Sequence, residues 1–392
     1  MVLARRPVLP GAVLAALVLS GCSVGQLGVH AGTVVQESVA RISLTPAPTG
    51  KPVGPATPLV VTVKSGRLTA VVVSGPHGTV PGTLSSDGLV WTATGGILDY
   101  ASKYSVAATA VDRSGLPTAL KETLRTVAPS TFLGFSMTPT TEQVVGVGMP
   151  IRLALDHLVR TDAEKKTVER RLAVTVDGEQ VLGGWRWQND GLLVYRPQVF
   201  WKGNATVAVT ASFKGVRFGS SLWGEKDVTS SFRTGPAMVS YVDMVTDQLR
   251  VTQDGTTIRT IPITTGKVGF ETRSGIKVIM SKERTRIMDA ATGGTLSTDP
   301  EYYRLEVEYA MRLTNSGEFL HAAPWSVAHQ GHSNVSHGCT GMSTSNAAWL
   351  YSRSRPGDVV IYTGNDRTME SGNGLGLWNI SWTRWQKYSA LT

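Results

Sequence analysis

Short runs in which apolar and polar positions alternate dominate this chain. Leu59-Val60-Val61-Thr62-Val63 and Leu68-Thr69-Ala70-Val71-Val72-Val73 are rich in β-branched residues, and Lys64-Ser65-Gly66 separates them. Such residues suit a pleated, half-buried surface, so both runs predict strands. Tyr104 to Ala110 and Ala205 to Ala211 show the same period of two. Beyond Pro236 the pattern continues through Val239–Val242, Gln248–Thr252 and Thr257–Ile261. Asp254-Gly255 sits between the last two and predicts a tight hairpin, because that dipeptide tolerates positive φ. Helix signals are sparse. The clearest runs from Ser345 to about Arg353, with Ser343 or Ser345 as its cap and Pro356-Gly357 as its stop. A strand, Val359–Tyr362, follows.

The strands fall into a repeat. Asp87-Gly88-Leu89-Val90-Trp91 leads to the Tyr104 strand, and Asp190-Gly191-Leu192-Leu193-Val194-Tyr195 leads to the Ala205 strand. The spacing, about 100 residues, is one immunoglobulin-like sandwich each. The expected class is therefore mainly β, with two immunoglobulin-like β-sandwiches at 41–129 and 130–236. Pro129 and Gly235-Pro236 mark their ends. A third β domain, with the short helix, is expected over 237–364. An aromatic-rich extension over 365–392 carries Trp378, Trp382, Trp385 and Tyr388, and is expected to pack on that domain.

The N-terminus changes the picture. Arg5 and Arg6 precede an apolar stretch from Val8 to Leu19, too short for a span that needs about 20 residues. Leu19-Ser20-Gly21-Cys22 ends it and resembles a bacterial lipobox. That resemblance implies a signal peptide over 1–21, lipid on Cys22, and a small, polar tether over 22–40. The protein is then expected on the outer face of the cytoplasmic membrane, facing the cell wall. The formal charge of +9 is spread along the chain without a dense basic block, which argues against nucleic acid and suits anionic wall polymer or lipid heads.

Composition also isolates the chemistry. The chain has two cysteines; Cys22 belongs to the lipobox, so no disulfide framework remains. Four of the seven histidines, His321, His329, His332 and His337, lie just upstream of Cys339. Zinc ligation and thiol nucleophilicity both use such a set. No Cys-x-x-Cys or His-Glu-x-x-His occurs, and no carboxylate lies between His321 and Cys339. The spacing therefore favours a thiol beside an imidazole base, with no metal and no cofactor. A glycine before the cysteine suits a tight turn that exposes sulfur and turns backbone amides toward an oxyanion. An activated thiol of this kind is expected to alkylate readily near neutral pH.

His321-Ala322-Ala323-Pro324-Trp325-Ser326, followed by Ser336-His337-Gly338-Cys339, resembles the signature of the bacterial L,D-transpeptidases (YkuD-like). The resemblance covers about 238 to 364; the lipobox and two sandwiches resemble the family's actinobacterial branch. It implies that Cys339 is the nucleophile, attacking the third residue, a diamino acid, of a peptidoglycan tetrapeptide and expelling D-alanine. A second stem then takes the acyl group in a 3→3 cross-link. It implies that His321 is the base, oriented by the Ala322 carbonyl, and that His337 and Gly338 shape the turn. Tyr303 is implied at the oxyanion, Met288 in a lid, and Trp325 and Ser336 along the pocket. His329 and His332 fall in the connecting loop as polar groups. The implied partners are peptidoglycan stems and the membrane, acting on a monomer, with carbapenems as acylating inhibitors.

One departure stands out. Where the family has an apolar residue and then Asn or Arg, this chain has Thr340-Gly341, which removes a side-chain contact from the acceptor side. An L,D-carboxypeptidase, in which water takes the acyl group, uses the same thioester and stays open, as does a wall-binding lipoprotein without activity.

Overall fold

The computed structural model describes residues 36–392, so Cys22 and most of the expected tether lie outside the described residues. In the first sandwich, Arg41–Thr45, Val60–Lys64, Val90–Ala93 and Gly82–Leu84 form one sheet. Gly78–Thr79, Arg67–Gly75, Lys103–Val111 and Pro117–Arg125 form the other. The two-residue period does the sorting: Tyr104, Val106, Ala108 and Ala110 all turn inward from one strand. Trp91, on the strand after the Asp-Gly turn, fills the same core.

The second sandwich repeats the plan. Its inner strands include Ile151–Leu155 and Leu192–Pro197 in one sheet and Thr206–Ala211 and Val228–Thr234 in the other. Tyr195 takes the place that Trp91 holds in the first. A helix, Asp162–Glu169, was not expected there. Thr161 and Glu164 cap it reciprocally, a Thr-x-x-Glu signal present in the sequence.

The third unit places the site. Thr256–Pro262, Gln248–Gln253, Met238–Asp243, Val359–Thr363 and Gly275–Val278 form a five-stranded sheet. The Asp254-Gly255 turn has positive φ at both residues, as a two-residue hairpin requires. Ser281–Asp289, Arg304–Arg312, Phe319–Ala322 and Thr340–Met342 form the second sheet. Leu249, Ile261, Met311, Leu320 and Val360 bury their side chains between the two. Helix Thr344–Arg353, capped by Ser343, packs on this sheet and buries Ala347 and Leu350. Phe319–Ala322 and Thr340–Met342 run parallel, pairing His321 with Gly341. Parallel neighbours need a long crossover. Residues 323–339 are that crossover, and most of the expected site residues lie on it or at its ends.

The C-terminal extension was expected on the third unit. It does pack there: Glu370 pairs with Arg273, Ser274 bonds Asn365, Arg367 and Met369 through its side chain and backbone, Asn373 accepts from Ser316 N, and Asn379 accepts from Ile276 N at 2.8 Å and donates to its carbonyl at 2.7 Å. Its aromatic end also reaches the second sandwich. Trp378 packs on Phe200 and donates to the Gly148 carbonyl; Trp385 donates to the Gly184 carbonyl. Arg196, buried, lies 4.9–5.4 Å from the ring centres of Trp378, Trp382 and Trp385 and donates to Ile380 O. The guanidinium is a long-range partner for the tryptophans that the tail's own sequence does not reveal.

Candidate active site

Ser336-His337-Gly338-Cys339 forms a turn built from its own side chains. Ser336 Oγ donates to the Cys339 carbonyl at 2.6 Å and accepts from Gly338 N at 3.1 Å. Gly338 has φ of +116°, a conformation strained for any L side chain even though space for a Cβ exists. Thr272 Oγ1 donates to the Gly338 carbonyl and holds the turn from below.

Cys339 and His321 line one cleft of about 330 Å³, with Met288, Tyr303, Trp325, Ser336, His337 and Gly341. His321 Nδ1 donates to the Ala322 carbonyl at 2.7 Å, which leaves Nε2 as the basic nitrogen. Trp325, exposed at the mouth, lies nearly parallel to the imidazole at 6.0 Å. Ala322 thus contributes its backbone; its side chain is buried in the core.

Burial disfavours the charged form of both Cys339 and His321. Burial pushes the Cys339 thiol up to about 12, although the Phe319 amide and the Lys277 and Arg312 charges oppose this. Burial also pulls the His321 imidazole below its usual value. The thiol donates to the Gly317 carbonyl at 3.5 Å. Desolvation thus opposes the thiolate more than the nearby cations favour it, which gives an adjoining base a proton to take.

The Gly338 amide is engaged by Ser336 Oγ. The Tyr303 hydroxyl, by contrast, has no hydrogen-bond partner among the described residues and lies in the cluster around Cys339. Met288, buried at the end of strand Ser281–Asp289, touches the same cluster.

The four histidines do different work. His329 Nδ1 bonds Ser333 Oγ, and His337 Nε2 bonds Glu301. His332 stands on the loop, outside the cleft. Among the described residues, no group of three or more His, Cys, Asp or Glu side chains is placed to hold a metal ion.

Several neighbours escaped sequence reading. Glu301 bridges His337 and Lys267. Behind Cys339, fully buried Lys277 pairs with Glu318 at 2.5 Å, and Arg273 reaches the other oxygen at 3.0 Å. The Lys277 ammonium also sits over the Tyr362 ring, whose hydroxyl bonds Thr340 Oγ1 beside Cys339. Thr340 is thus part of the buried support. Gly341 pairs with Thr264 through both backbone groups, and a Cβ there would come within 2.9 Å of Ala323 Cβ. The cleft is fitted to the absence of a side chain at that position.

A cysteine turn, an adjoining histidine strand and preceding sandwiches define a class that the comparisons specify. Residues 238–361 match the L,D-transpeptidase catalytic domain and residues 50–217 match the bacterial Ig domain. L,D-transpeptidase 2 of Mycobacterium tuberculosis is 35% identical over 335 residues, covering 85% of this chain and 81% of that protein. L,D-transpeptidase 5 of the same species is 31% identical, covering 90% and 77%. The solved L,D-transpeptidase from Mycobacterium smegmatis has a TM-score of 0.50 at 32% identity, over 59% of this chain and 99% of that one. An L,D-transpeptidase solved with imipenem matches equally, at 31% identity, over 60% and 100%. The chain belongs to the L,D-transpeptidase family.

Proposed function

We propose that Cys339 carries the acyl group in a 3→3 cross-linking reaction between peptidoglycan stems. The observation that carries this reading is the shared cleft: the thiol that follows a positive-φ glycine lines it together with an imidazole whose tautomer a backbone carbonyl sets. His321 Nε2 takes the thiol proton as sulfur attacks the third-residue carbonyl of the donor tetrapeptide. The oxyanion meets the Tyr303 hydroxyl. The C–N bond to D-alanine breaks, and the imidazolium gives its proton to the departing amine. The side-chain amine of a second stem attacks the thioester, His321 removes its proton, and the C–S bond breaks to restore the thiol. Met288 and Trp325 close the cleft against water, and His337 and Gly338 hold the turn.

A carbapenem supplies a strained acyl donor for the same sulfur. Intact-mass measurement should show one stable adduct on Cys339, and none on Cys339→Ala. An adduct on a serine, or no adduct on the wild type, overturns the assignment.

Location belongs to the same proposal. Lipid on Cys22 would hold a monomeric enzyme on the outer membrane face, with the 22–40 tether and the two sandwiches carrying the site toward the wall. Two acyl chains or more are enough for firm anchoring.

A further inference from the structure

A second recess, about 390 Å³, opens on the other side of the nucleophile turn. Met288, Tyr303 and His337 line both openings, and Gly317, whose carbonyl accepts from the Cys339 thiol, lies on the wall of the second. The reactive sulfur therefore adjoins a space that the reaction described above does not use.

Its wall is cationic. Arg286 and Arg312 lie against the same Phe319 ring, at 5.1 and 4.6 Å from its centre. The Arg286 charge is paired with Glu283, Nη1 donating to both carboxylate oxygens at 2.7 and 2.9 Å. Asp289, also on this wall, caps the following turn and faces Arg304 at 3.5 Å. Arg312 differs. It donates through Nη1 to the carbonyls of Thr314 and Asn315, and has no carboxylate partner among the described residues. Nε and Nη2 remain without an acceptor. This half-buried guanidinium stands beside a second one: burial and Arg286 lower its pKa, while the Glu283 charge, which Arg286 holds, and Cys339 oppose this. A planar fork of donors of this kind matches a carboxylate in two parallel hydrogen bonds.

We propose that the recess walled by Arg312 and Arg286 is a carboxylate subsite, which holds an ionised carboxylate of the donor stem while its carbonyl meets Cys339. This rests on the transpeptidase reading above. Two carboxylates of a tetrapeptide donor share this chemistry: that of the terminal D-alanine, and the side-chain carboxylate of the diamino acid. A stem that lacks the recognised one leaves Arg312 unpaired and acylates poorly.

The test uses full-length protein and three donor stems: both carboxylates free, the diamino-acid carboxylate amidated, and the terminus made D-alaninamide. Acylation of Cys339 is followed by intact mass, and KM and kcat are measured for the wild type, Arg312→Gln, Arg312→Lys and Arg286→Gln. Arg312→Gln should raise KM for the free stem by about 10- to 100-fold with kcat little changed. It should have no effect on the one amidated stem that removes the recognised group, which identifies that group. Arg312→Lys should restore part of the loss, and Arg286→Gln should act more weakly. Wild-type protein should itself discriminate against that amidated stem by a similar factor. Equal wild-type rates on all three stems overturn the proposal without any variant. So does an Arg312→Gln variant that slows every stem equally. A wild type acylated by no stem overturns the transpeptidase reading instead.

Discussion

Replacing Glu318 by leucine tests the idea that a buried charge cluster supports the Cys339 turn. Glu318 is almost fully buried and binds three donors: Lys277 Nζ at 2.5 Å, Arg273 Nη1 at 3.0 Å and Arg273 N at 3.1 Å. Arg273 keeps Glu370 as a partner in the variant. Lys277, with no exposed surface, keeps only the Tyr362 ring at 3.7 Å. Breaking a buried pair from one side costs about 3–5 kcal/mol. For a unit of this size that corresponds to a fall in Tm of about 6–20 °C. The reverse change, Lys277→Met, leaves Glu318 with Arg273 and should cost less, about 2–3 kcal/mol. The double variant should cost less than the two single changes added.

The pH dependence makes this prediction sharper. Burial already pulls Lys277 down to about 8 against the attraction of Glu318. Without Glu318 the folded protein holds that proton still less well, whereas the unfolded lysine keeps it to about pH 10.4. The unfolded state then binds more protons, so stability rises with pH through the window from below 8 to 10.4. Relative to wild type, Glu318→Leu should regain up to about 1.4 kcal/mol per pH unit between its own lowered Lys277 pKa and about pH 8, above which both proteins gain alike. Thermal unfolding from pH 6.5 to 9.5, followed by trapping of the Cys339 thiol and peptide mass mapping, isolates the relevant unit. A loss that does not vary with pH would refute the buried ammonium as its cause.

Other consequences are independent. Burial lifts Asp358 to about 7, and its Oδ1 has no partner among the described residues. The folded state thus holds a proton that the unfolded one releases above pH 4, so wild-type stability falls as pH rises from 4 to 7. Asp358→Asn should flatten that slope and stabilise at pH 8 by about 1–3 kcal/mol, read by urea unfolding; a retained slope contradicts this. Trp385, fully buried against the second sandwich, should cost about 3–5 kcal/mol when truncated to alanine, measured as a lower Tm of the second sandwich. Cys22→Ala should release the protein from membranes or stall its processing; fractionation checks this, and a processed variant still bound to membranes counts against lipidation.

Much of this was legible in sequence where the information is local. The two-residue period exposed the sandwich strands, Asp254-Gly255 marked its hairpin, and Ser343 with Pro356-Gly357 bounded the helix. The histidine and cysteine segments named the cleft, because each is a contiguous run joined by one crossover. What stayed hidden depends on distant pairing. Lys277 sits in a short strand and reads as a surface residue until Glu318, 41 residues on, is found beneath it. Arg196 and the tail tryptophans are even farther apart. The thiol's elevated pKa was equally unreadable, since it comes from burial, whereas the sequence shows only the nearby histidines. The Gly317 carbonyl that meets the Cys339 thiol was equally hidden, because it lies 22 residues upstream.

The most direct test of the central claim is incubation of the full-length enzyme with a purified disaccharide-tetrapeptide, followed by peptide-resolved mass spectrometry. The account predicts an acyl-enzyme on Cys339 that has lost D-alanine, then a 3→3 dimer, with both absent in Cys339→Ala and slowed in His321→Ala. Tripeptide without dimer would assign the second step to water, and dimer formed by Cys339→Ala would contradict the account outright.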